Sequence, residues 1–406
     1  MVRDPDRLHQ AFVDEVARHG DLSDHRIEAA FRAVPRHRFL PGVPLEEAYS
    51  DRVVVTKVED GIPVSASSQP SFMAVMLKQL GLEPGHRVLE IGTGTGYNAA
   101  LMAEIVGEAG RVVTVDIDRE VVERARRCLR DTGYLAVDVI CGDGGLGHAA
   151  TAPYDRIIVT VGAWDIAPAL REQLRSNGRL VIPLSIKGPQ RSIAFQLLGD
   201  VLHGVSMAEC DFSTSLRGEF AGANTRLSVG AEGRLWLWFE GERAADHAAI
   251  GRLVSGAYVD RNTGRAVTVS EVFGGLYLWL ALHDSRFVQL GSAGTTEIPC
   301  LLSLPGKLAL TAGLLDVSGL CVLTPGDEVP ATSLADPRTL ELSVRGFGED
   351  ARLARALIDL VCAWDAAGRP GTAGLCVTAY PRNGDYRPSP GEFVVDKRWS
   401  RLVLAW

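Results

Sequence analysis

The sequence predicts a doubly wound α/β domain followed by a second, smaller α+β domain. Between residues 85 and 185, strands rich in Val and Ile alternate with helices of about a dozen residues. The strands IAFQLLG and LHGVSMAEC then follow without a helix between them, which indicates an antiparallel hairpin. After residue 220 the pattern changes to short strands separated by Gly/Pro turns. We therefore place the two domains at residues 1–220 and 221–406.

Each element has its own signal. Residues 1–50 predict amphipathic helices, and a further helix is predicted from Pro70 to Leu80. Between them, VVVTKVEDGIPVSASSQP predicts a short strand followed by a polar loop. In the second domain, strands are predicted for RLWLWF, GLYLWLALH, LLSLPGKLAL, GLCVLTP and LELSVRGF. A helix is predicted for ARLARALIDLVCAWDAAG and a terminal strand for VVDKRWSRLVLAW.

Composition limits the possible functions. The chain has 406 residues and a net charge of −8, from 42 Lys and Arg against 50 Asp and Glu. This charge disfavours a nucleic-acid partner, because such proteins usually have a basic face. No apolar run reaches the roughly 20 residues of a membrane span, so we expect a cytoplasmic protein without a membrane partner. Seven dispersed cysteines without a C-x-x-C pair favour free thiols over a metal site.

The turn after the first strand of the α/β pattern is the sharpest functional signal. Glu90 precedes Gly92, Thr93, Gly94 and Gly96 in a G-x-G-x-G pattern. Glycines allow a tight turn and bring backbone N–H groups close to a ligand. The dinucleotide spacing is instead G-x-G-x-x-G. The preceding acid favours S-adenosylmethionine, whose amino group and cationic sulfur suit nearby carboxylates and carbonyls.

Two further acids follow the next two strands. Asp116 ends the strand RVVTVD, where an acid can accept hydrogen bonds from both ribose hydroxyls. We also expect Ile117, the next residue in the chain, to contact the cofactor. The triplet Gly142-Asp143-Gly144 follows the third strand, where an Asp can meet the adenine amino group. Together these residues predict a methyl-donor site, and NAD or another nucleotide and incidental loop acids stand as alternatives.

Several motifs resemble the protein-L-isoaspartate (D-aspartate) O-methyltransferases, in family order over about residues 30 to 220. They are PRHRFLPG, AYSD at 48–51, SASSQPSFMA, VLEIGTGTGYNAA, CGDGGLG, APYDRIIVTVGA, LRSNGRLVIPLS with Gln190, and SLRG. The resemblance implies the class I methyltransferase (Rossmann-like) fold, S-adenosyl-L-methionine as cofactor and S-adenosyl-L-homocysteine as product. One departure is Asp116, where the family usually has Glu.

The resemblance also implies that Ser68 is the active-site serine. The family motif is Thr-Ile-Ser-Gln-Pro, and because Ala66 and Ser67 precede Ser68 here, Ser67 is a neighbouring catalytic candidate, together with Gln69. A carboxylate is already ionised at neutral pH, so its attack on a sulfonium methyl needs alignment and no general base. Ser68 would orient that carboxylate, or alternatively cap the following helix. Thr160, after the fourth strand, is a candidate for the substrate cleft.

Repair enzymes of this family usually consist of little more than the catalytic domain. Residues 221–406 of this chain extend beyond that domain. This layout resembles the subgroup associated with ribosomally synthesised modified peptides (RiPP biosynthesis), the lanthipeptides and graspetides. Such members esterify an Asp side chain of a macrocyclised precursor peptide, and an aspartimide forms. The second domain would then recognise the peptide, with aromatic candidates Trp236, Trp238, Trp279 and Trp399. Trp236 and Trp238 point to the same strand face, which favours core packing.

Three functions follow from the sequence. The first, which we favour at this point, is esterification of an aspartate in a modified precursor peptide. The second is general isoaspartyl repair by an enzyme with an appended domain. The third is a non-catalytic scaffold that holds the methyl donor or a peptide, and the complete set of acids together with Ser68 argues against it.

Overall fold

The computed structural model describes residues 4–19, 22–59, 61–212, 214–222, 224–229, 235–241, 247–292, 298–304, 308–326, 328–348 and 351–406. The chain forms two units. Unit 1 comprises residues 1–185, 190–222 and 377–403, and unit 2 comprises residues 186–189, 223–376 and 404–406. Within the described ranges, we find no helix with the length and apolarity that crossing a membrane requires.

The helices are α1 (Pro5–His19), α2 (His25–Ala33), α3 (Leu45–Ala48), α4 (Pro70–Leu80), α5 (Tyr97–Val106), α6 (Arg119–Asp131), α7 (Pro168–Glu172), α8 (His247–Val254), α9 (Val269–Glu271), α10 (Tyr277–His283) and α11 (Ala351–Ala366). The strands are β1 (Val54–Glu59), β2 (Ile62–Ser67), β3 (Arg87–Ile91), β4 (Arg111–Asp116), β5 (Asp138–Cys141), β6 (Tyr154–Val159), β7 (Leu174–Ser185), β8 (Gln190–Leu198), β9 (Val201–Cys210), β10 (Asn224–Val229), β11 (Leu235–Glu240), β12 (Tyr258–Thr268), β13 (Phe287–Ser292), β14 (Leu302–Leu304), β15 (Leu308–Asp316), β16 (Gly319–Thr324), β17 (Thr339–Phe347), β18 (Cys376–Pro381), β19 (Phe393–Asp396) and β20 (Ser400–Ala405).

The large sheet has the strand order β19-β20-β18-β9-β8-β7-β6-β3-β4-β5. Strands β3 to β7 pair in parallel, and β8 and β9 form the expected antiparallel hairpin. From β3 the chain moves outward to β4 and β5, then returns to β6 on the other side of β3. This reversal is a topological switch point, where open α/β sheets bind ligands beyond the carboxyl ends of the strands. The prediction of a doubly wound α/β domain is confirmed.

The helices of unit 1 form where the sequence supplies caps and apolar faces. Helix α6 begins after Asp118, whose side chain accepts hydrogen bonds from the backbone N–H groups of Glu120 and Val121. Helix α4 begins with Pro70 and ends at Gly81, which has a φ of 62°. One core cluster joins α1, α2, α4, α5 and α6 to the sheet, with buried members Phe12, Phe31, Leu77, Leu101 and Leu129.

The predicted polar loop before α4 is largely a strand. Strand β2 pairs antiparallel with β1, from Val54 opposite Ser67 to Glu59 opposite Ile62. The sequence does not predict this strand, because Pro63 and the serines of the segment interrupt the apolar–polar alternation that is typical of a strand. An isolated two-stranded ribbon tolerates such residues, since proline is acceptable at a sheet edge.

The chain's last strands depart from the predicted boundary at residue 220. Strand β18 pairs antiparallel with β9, with Thr378 opposite His203 and Ala379 opposite Leu202. Residues 377–403 therefore belong to unit 1 and not to the second domain in which the sequence placed them. The physical reason is that β9 would otherwise leave an unpaired sheet edge, which a strand from any part of the chain can cover.

Unit 2 is built on an antiparallel sheet of order β10-β11-β13-β15-β16-β17-β12, with β14 paired to β15. Helix α11 packs on it through Leu353, Leu357 and Val361, which are at most 3% exposed. The predicted strand GLYLWLALH is wrong: it forms the end of a π-helical turn followed by helix α10. Nearly every residue of this segment is buried, so its apolar run has no period by which to choose helix or strand.

The tryptophans expected in the second domain are divided between the units. Trp236 and Trp238 share one face of β11, with ring centroids 6.2 Å apart, while the core is filled from the other face by Leu235, Leu237 and Phe239. Both tryptophans are half-buried. Trp399 lies in unit 1.

Candidate active site

The turn between β3 and α5 lies at the switch point of the sheet. Its three glycines have positive φ: 100° at Gly92, 52° at Gly94 and 84° at Gly96. A side chain at Gly92 would also collide, because its Cβ would lie 2.6 Å from Thr160 Oγ1. The glycines therefore allow the backbone path that the sequence predicts for a ligand-binding turn.

Glu90 lies beneath this turn and not beside the cleft. Its side chain is completely buried; Oε1 accepts from Asn98 Nδ2 at 2.8 Å and Oε2 from Thr114 Oγ1 at 2.7 Å. The Thr93 hydroxyl lies 2.8 Å from Thr114 Oγ1 in the same network. Burial raises the pKa of Glu90 to about 7. Both side chains are buried, Glu90 at 0% and Thr93 at 3% exposed, and this network supports the turn from below. Contact of either residue with the cofactor stays a prediction.

Asp116 ends β4 at the same edge of the sheet. Its Oδ2 accepts from the Gly94 N–H at 3.2 Å and its Oδ1 from the Asp118 N–H at 3.1 Å. Burial raises the pKa of Asp116 above its usual value, so additional donors would stabilise its ionised form. Ile117 is 38% exposed, next to this fixed carboxylate. The pair offers an acceptor for hydroxyls beside an apolar surface for a flat ring.

The loop after β5 is held close to β3 and β4. The Gly142 N–H donates to the Asp116 carbonyl at 2.9 Å. A Cβ on Gly144 would lie 2.3 Å from Ile91 Cγ2, so only glycine allows this close approach. The predicted residues after β3, β4 and β5 are therefore brought together at one sheet edge.

Asp143 connects this loop to the segment 216–220. Its Oδ1 accepts from the Gly145 N–H and its Oδ2 from the Glu219 N–H, both at 2.9 Å. Gly218 has a φ of 81°, and a Cβ there would lie 2.2 Å from Asp143 Oδ2 and 3.1 Å from Ile117 Cδ1. The segment 216–220 therefore closes over the tips of β4 and β5.

The end of β2 crosses the glycine turn and carries the predicted catalytic residues. A Cβ on Gly94 would lie 3.3 Å from the carbonyl oxygen of Ala66. Ser67 is 4% exposed and its Oγ accepts from Arg36 Nη2 at 3.3 Å, so a substrate does not reach it. Ser68 is half-buried, and its hydroxyl has no hydrogen-bond partner in the described part of the chain. The geometry thus favours Ser68 over Ser67.

Gln69, and not Ser68, is the N-cap residue of α4. Gln69 Nε2 donates to Asp51 Oδ2 and to Ser71 Oγ, both at 3.0 Å. Asp51 Oδ1 accepts from the Ser71 N–H at 2.8 Å, so the Asp51 side chain caps the start of α4 from outside the helix. The alternative role of Ser68 as the cap is wrong, and Gln69 holds the local backbone in place.

Arg36 is the main residue of this site that sequence reasoning missed. Its side chain is completely buried. The guanidinium donates to the carbonyl oxygens of Ala48, Ser50, Arg52 and Ser68 and to Ser67 Oγ, over 2.9–3.3 Å. Arg36 therefore ties the segment 48–52 to the end of β2. A signal was present, because Arg36 lies in PRHRFLPG and Asp51 in AYSD, two of the motifs of the resemblance.

Thr160 lies at the tip of β6, but its hydroxyl is committed to the backbone. Its Oγ1 donates to the Gly92 carbonyl at 2.7 Å and lies 3.1 Å from the Ile91 carbonyl. A hydroxyl has one proton, so this contact leaves none for a substrate. Thr160 therefore supports the glycine turn through its hydroxyl, and its place in the substrate cleft stays a prediction.

A cluster of charges surrounds the site. Lys57 Nζ lies 2.7 Å from Asp118, 3.0 Å from Glu59 and 3.1 Å from Glu120. Arg217 lies 3.7 Å from Asp118 and 3.8 Å from Glu59. These contacts join the β1–β2 hairpin, the start of α6 and the segment 216–220, which are distant in sequence and gave no signal there.

Comparison with protein families identifies the chain. Residues 7–212, just over half of the 406 residues, match the family Protein-L-isoaspartate(D-aspartate) O-methyltransferase (PCMT). The chain belongs to the PCMT family. Members of this family are protein carboxyl methyltransferases that use S-adenosylmethionine, and the sheet described above is the class I methyltransferase fold.

Curated relatives agree with this assignment. The Protein-L-isoaspartate O-methyltransferase of Thermotoga maritima is 44% identical over 175 residues, which are 43% of this chain and 55% of that protein. Protein-L-isoaspartate O-methyltransferase 2 of Archaeoglobus fulgidus is 42% identical over 181 residues, 45% of this chain and 80% of that protein. The chain thus spans little more than half of the Thermotoga protein.

One solved structure matches beyond the catalytic unit. This structure is a protein-L-isoaspartate O-methyltransferase with 25% sequence identity and a TM-score of 0.51. The match covers 91% of this chain and 96% of the chain in that structure. Because the family match ends at residue 212, this structural match extends into unit 2. An additional unit is therefore compatible with an isoaspartate methyltransferase.

The residues of the site fit S-adenosylmethionine. The glycine turn provides a backbone path without side chains, Asp116 faces the same edge with a half-buried carboxylate, and Ile117 is exposed beside it. Gly144 and Asp143 close the third side. Acceptors for ribose hydroxyls and an apolar surface for adenine are what an adenosyl group requires.

Proposed function

We propose that this protein is an isoaspartyl carboxyl methyltransferase that acts in protein repair. The observation that supports the proposal is the close approach of the end of β2 to the glycine turn, where a Cβ on Gly94 would lie 3.3 Å from the Ala66 carbonyl oxygen. Ser68 follows two residues later, and its hydroxyl has no hydrogen-bond partner among the described residues. The family match and the relatives named for isoaspartate support this substrate.

The substrate chemistry suits such a site. In an isoaspartyl residue the chain continues through the side-chain carbonyl, so the α-carboxylate is free and ionised at neutral pH. S-adenosylmethionine, when bound, supplies an activated methyl group to one oxygen of that carboxylate. Ser68 donates a hydrogen bond to the other oxygen and fixes the angle of approach. No residue needs to remove a proton, because the attacking group is already an anion.

The surrounding residues keep this geometry rigid. Arg36 holds the Ser68 backbone through its carbonyl, and Gln69 and Asp51 hold the start of α4. Asp116 and Ile117 would bind the ribose and adenine, with Asp143 and the segment 216–220 closing over them. Site residues on packed elements lose little entropy on binding, which favours alignment of the two reactants.

A macrocyclised RiPP precursor peptide of the lanthipeptide or graspetide kind is the second candidate substrate. The observation behind it is unit 2, with Trp236 and Trp238 half-buried on one sheet face. In this case the ester would form on an ordinary Asp side chain and lead to an aspartimide. The structural match to an isoaspartate methyltransferase over 91% of the chain weakens the argument, because an extra unit does not require a special substrate.

Mass spectrometry with matched peptides tests the proposal. The full-length protein and S-adenosylmethionine are incubated with a linear isoaspartyl peptide, the same peptide with ordinary Asp, and a macrocyclic peptide with Asp. We expect a mass gain of one methyl ester on the isoaspartyl peptide alone. Methylation of the macrocycle alone would favour the second candidate, and no methylation of any peptide would contradict both. The Ser68→Ala variant is the control for enzyme-dependent transfer.

A further inference from the structure

A cavity of about 360 Å³ lies in unit 1 and contains none of the residues assigned to the methyl donor. Its walls come from α7, the β8–β9 turn, the end of β18 and the β19–β20 turn. The charged and aromatic lining residues are Arg171, Glu172, Asp200, Arg382, Arg398 and Trp399. The volume is within the range of small-molecule sites.

Arg171 is the unusual member of this lining. Its Nε and Nη2 atoms are buried without a hydrogen-bond partner. Among the described residues it forms no ion pair, although Asp165, Asp200 and Glu172 attract it at longer range. Arginine stays charged in proteins, and buried charged groups are normally paired. Unpaired buried donors in a native protein therefore indicate a partner from outside the chain.

The other cations of the cavity strengthen this indication. Arg398 stacks on Trp399, with its guanidinium carbon 4.7 Å from the ring centroid, and no carboxylate pairs with it in the described ranges. Arg382 Nη2 lies 3.4 Å from Asp396. The lining thus holds three arginines and two carboxylates. Because Asp396 pairs with Arg382, Arg171 and Arg398 are the lining arginines without an ion pair among the described residues.

The wall that carries Trp399 is fixed in place from inside the unit. Asp165 is 3% exposed, and its Oδ2 accepts from the Trp399 N–H at 2.6 Å. Its Oδ1 accepts from the Ser400 hydroxyl. The backbone of the β19–β20 turn is therefore held by a buried carboxylate. A preformed wall lowers the entropy that a ligand loses on binding.

We propose that this cavity binds a small anion through a phosphate or carboxylate group. Arg171 is the principal cationic contact, because its buried Nε and Nη2 donors have no hydrogen-bond partner among the described residues. Arg398 is the second contact, and Trp399 provides an apolar wall for the remainder of an organic anion. Guanidinium groups suit both oxyanions because their planar N–H groups match pairs of oxygens.

Titration calorimetry tests this site on the full-length protein. The probes are inorganic phosphate and citrate, at constant ionic strength set with sodium chloride. Saturating S-adenosylhomocysteine is present throughout, so that the methyl-donor site does not take the probe. The variants are Arg171→Gln and Arg398→Gln, and the matched control is Arg127→Gln, which removes an exposed arginine of α6 away from the cavity.

We expect saturable binding of at least one probe by the native protein and by Arg127→Gln. The dissociation constant should rise at least tenfold in Arg171→Gln and severalfold in Arg398→Gln. A response to phosphate alone or to citrate alone identifies which oxyanion the site selects. If Arg171→Gln does not fold, Arg398→Gln decides the matter. No saturable binding of either probe, or equal affinity in Arg398→Gln and Arg127→Gln, would overturn the proposal, and neither result depends on methyl transfer.

Discussion

The buried guanidinium of Arg36 donates from Nη2 to the carbonyl oxygen of Ser68 at 3.1 Å. The same nitrogen also donates to Ser67 Oγ and to the Arg52 carbonyl. The bond to Ser68 uses the backbone and leaves the side-chain hydroxyl unoccupied. Arg36 therefore fixes the backbone of Ser68 without using its hydroxyl, which suits a serine that orients a substrate.

Arg36→Met keeps much of the side-chain volume but removes every donor. We expect the free energy of unfolding to fall by about 1–3 kcal/mol, because the buried acceptors lose their hydrogen-bond donor. Urea denaturation measures this. Arg38→Met is the control, since Arg38 is exposed and donates one bond, to the Asp131 carbonyl. An equal loss of unfolding free energy in both variants would show that the hydrogen bonds of Arg36 stabilise the protein no more than the bond of an exposed arginine.

Ser68→Ala removes the hydroxyl after β2 that has no hydrogen-bond partner among the described residues. We expect a large fall in turnover on an isoaspartyl peptide, with almost unchanged affinity for S-adenosylhomocysteine in calorimetry. Ser67→Ala is the comparison variant, because Ser67 is buried against Arg36. A greater loss of turnover in Ser67→Ala than in Ser68→Ala would reverse the assignment.

Asp116→Ala removes the carboxylate expected to accept the ribose hydroxyls. We expect cofactor binding to weaken by about 1–3 kcal/mol, the range for loss of a charged hydrogen-bond partner. The dissociation constant of S-adenosylhomocysteine gives this number directly. Asp131→Ala, which changes the exposed acid at the end of α6, should bind normally. An unchanged constant in Asp116→Ala would rule out the ribose assignment.

Glu90 makes the stability of the protein depend on pH. Its pKa of about 7 in the folded state lies above the usual value of about 4.3, so the unfolded chain loses this proton at lower pH than the folded protein. Between these values the folded state binds more protons, and its stability falls as pH rises. The free energy of unfolding of Glu90→Gln, relative to that of the native protein, should therefore increase from pH 4 to pH 7.

Chemical denaturation of both proteins at several pH values checks this slope. Glu108→Gln, at an exposed position after α5, is the control and should follow the native protein throughout. A constant difference between Glu90→Gln and the native protein at all these pH values would show that the folded-state pKa is not raised.

The α/β fold and the glycine turn could be predicted because their signals are local. The period of the strands, Pro70 at the start of α4 and the acid after β4 all lie in short stretches of sequence. Arg36 could not be assigned in this way, because its partners are brought to it by folding from residues 48–52 and 67–68. The addition of β18 to β9 is equally non-local. The segment that forms α10 has a local pattern, but one that fits helix and strand alike.

A crystal structure with S-adenosylhomocysteine bound tests the central claim most directly. We expect the adenosyl group over the tips of β3, β4 and β5, with the ribose hydroxyls within hydrogen-bond distance of Asp116 and the sulfur facing the Ser68 hydroxyl. A ligand bound elsewhere in the chain, with the glycine turn empty, would contradict the account.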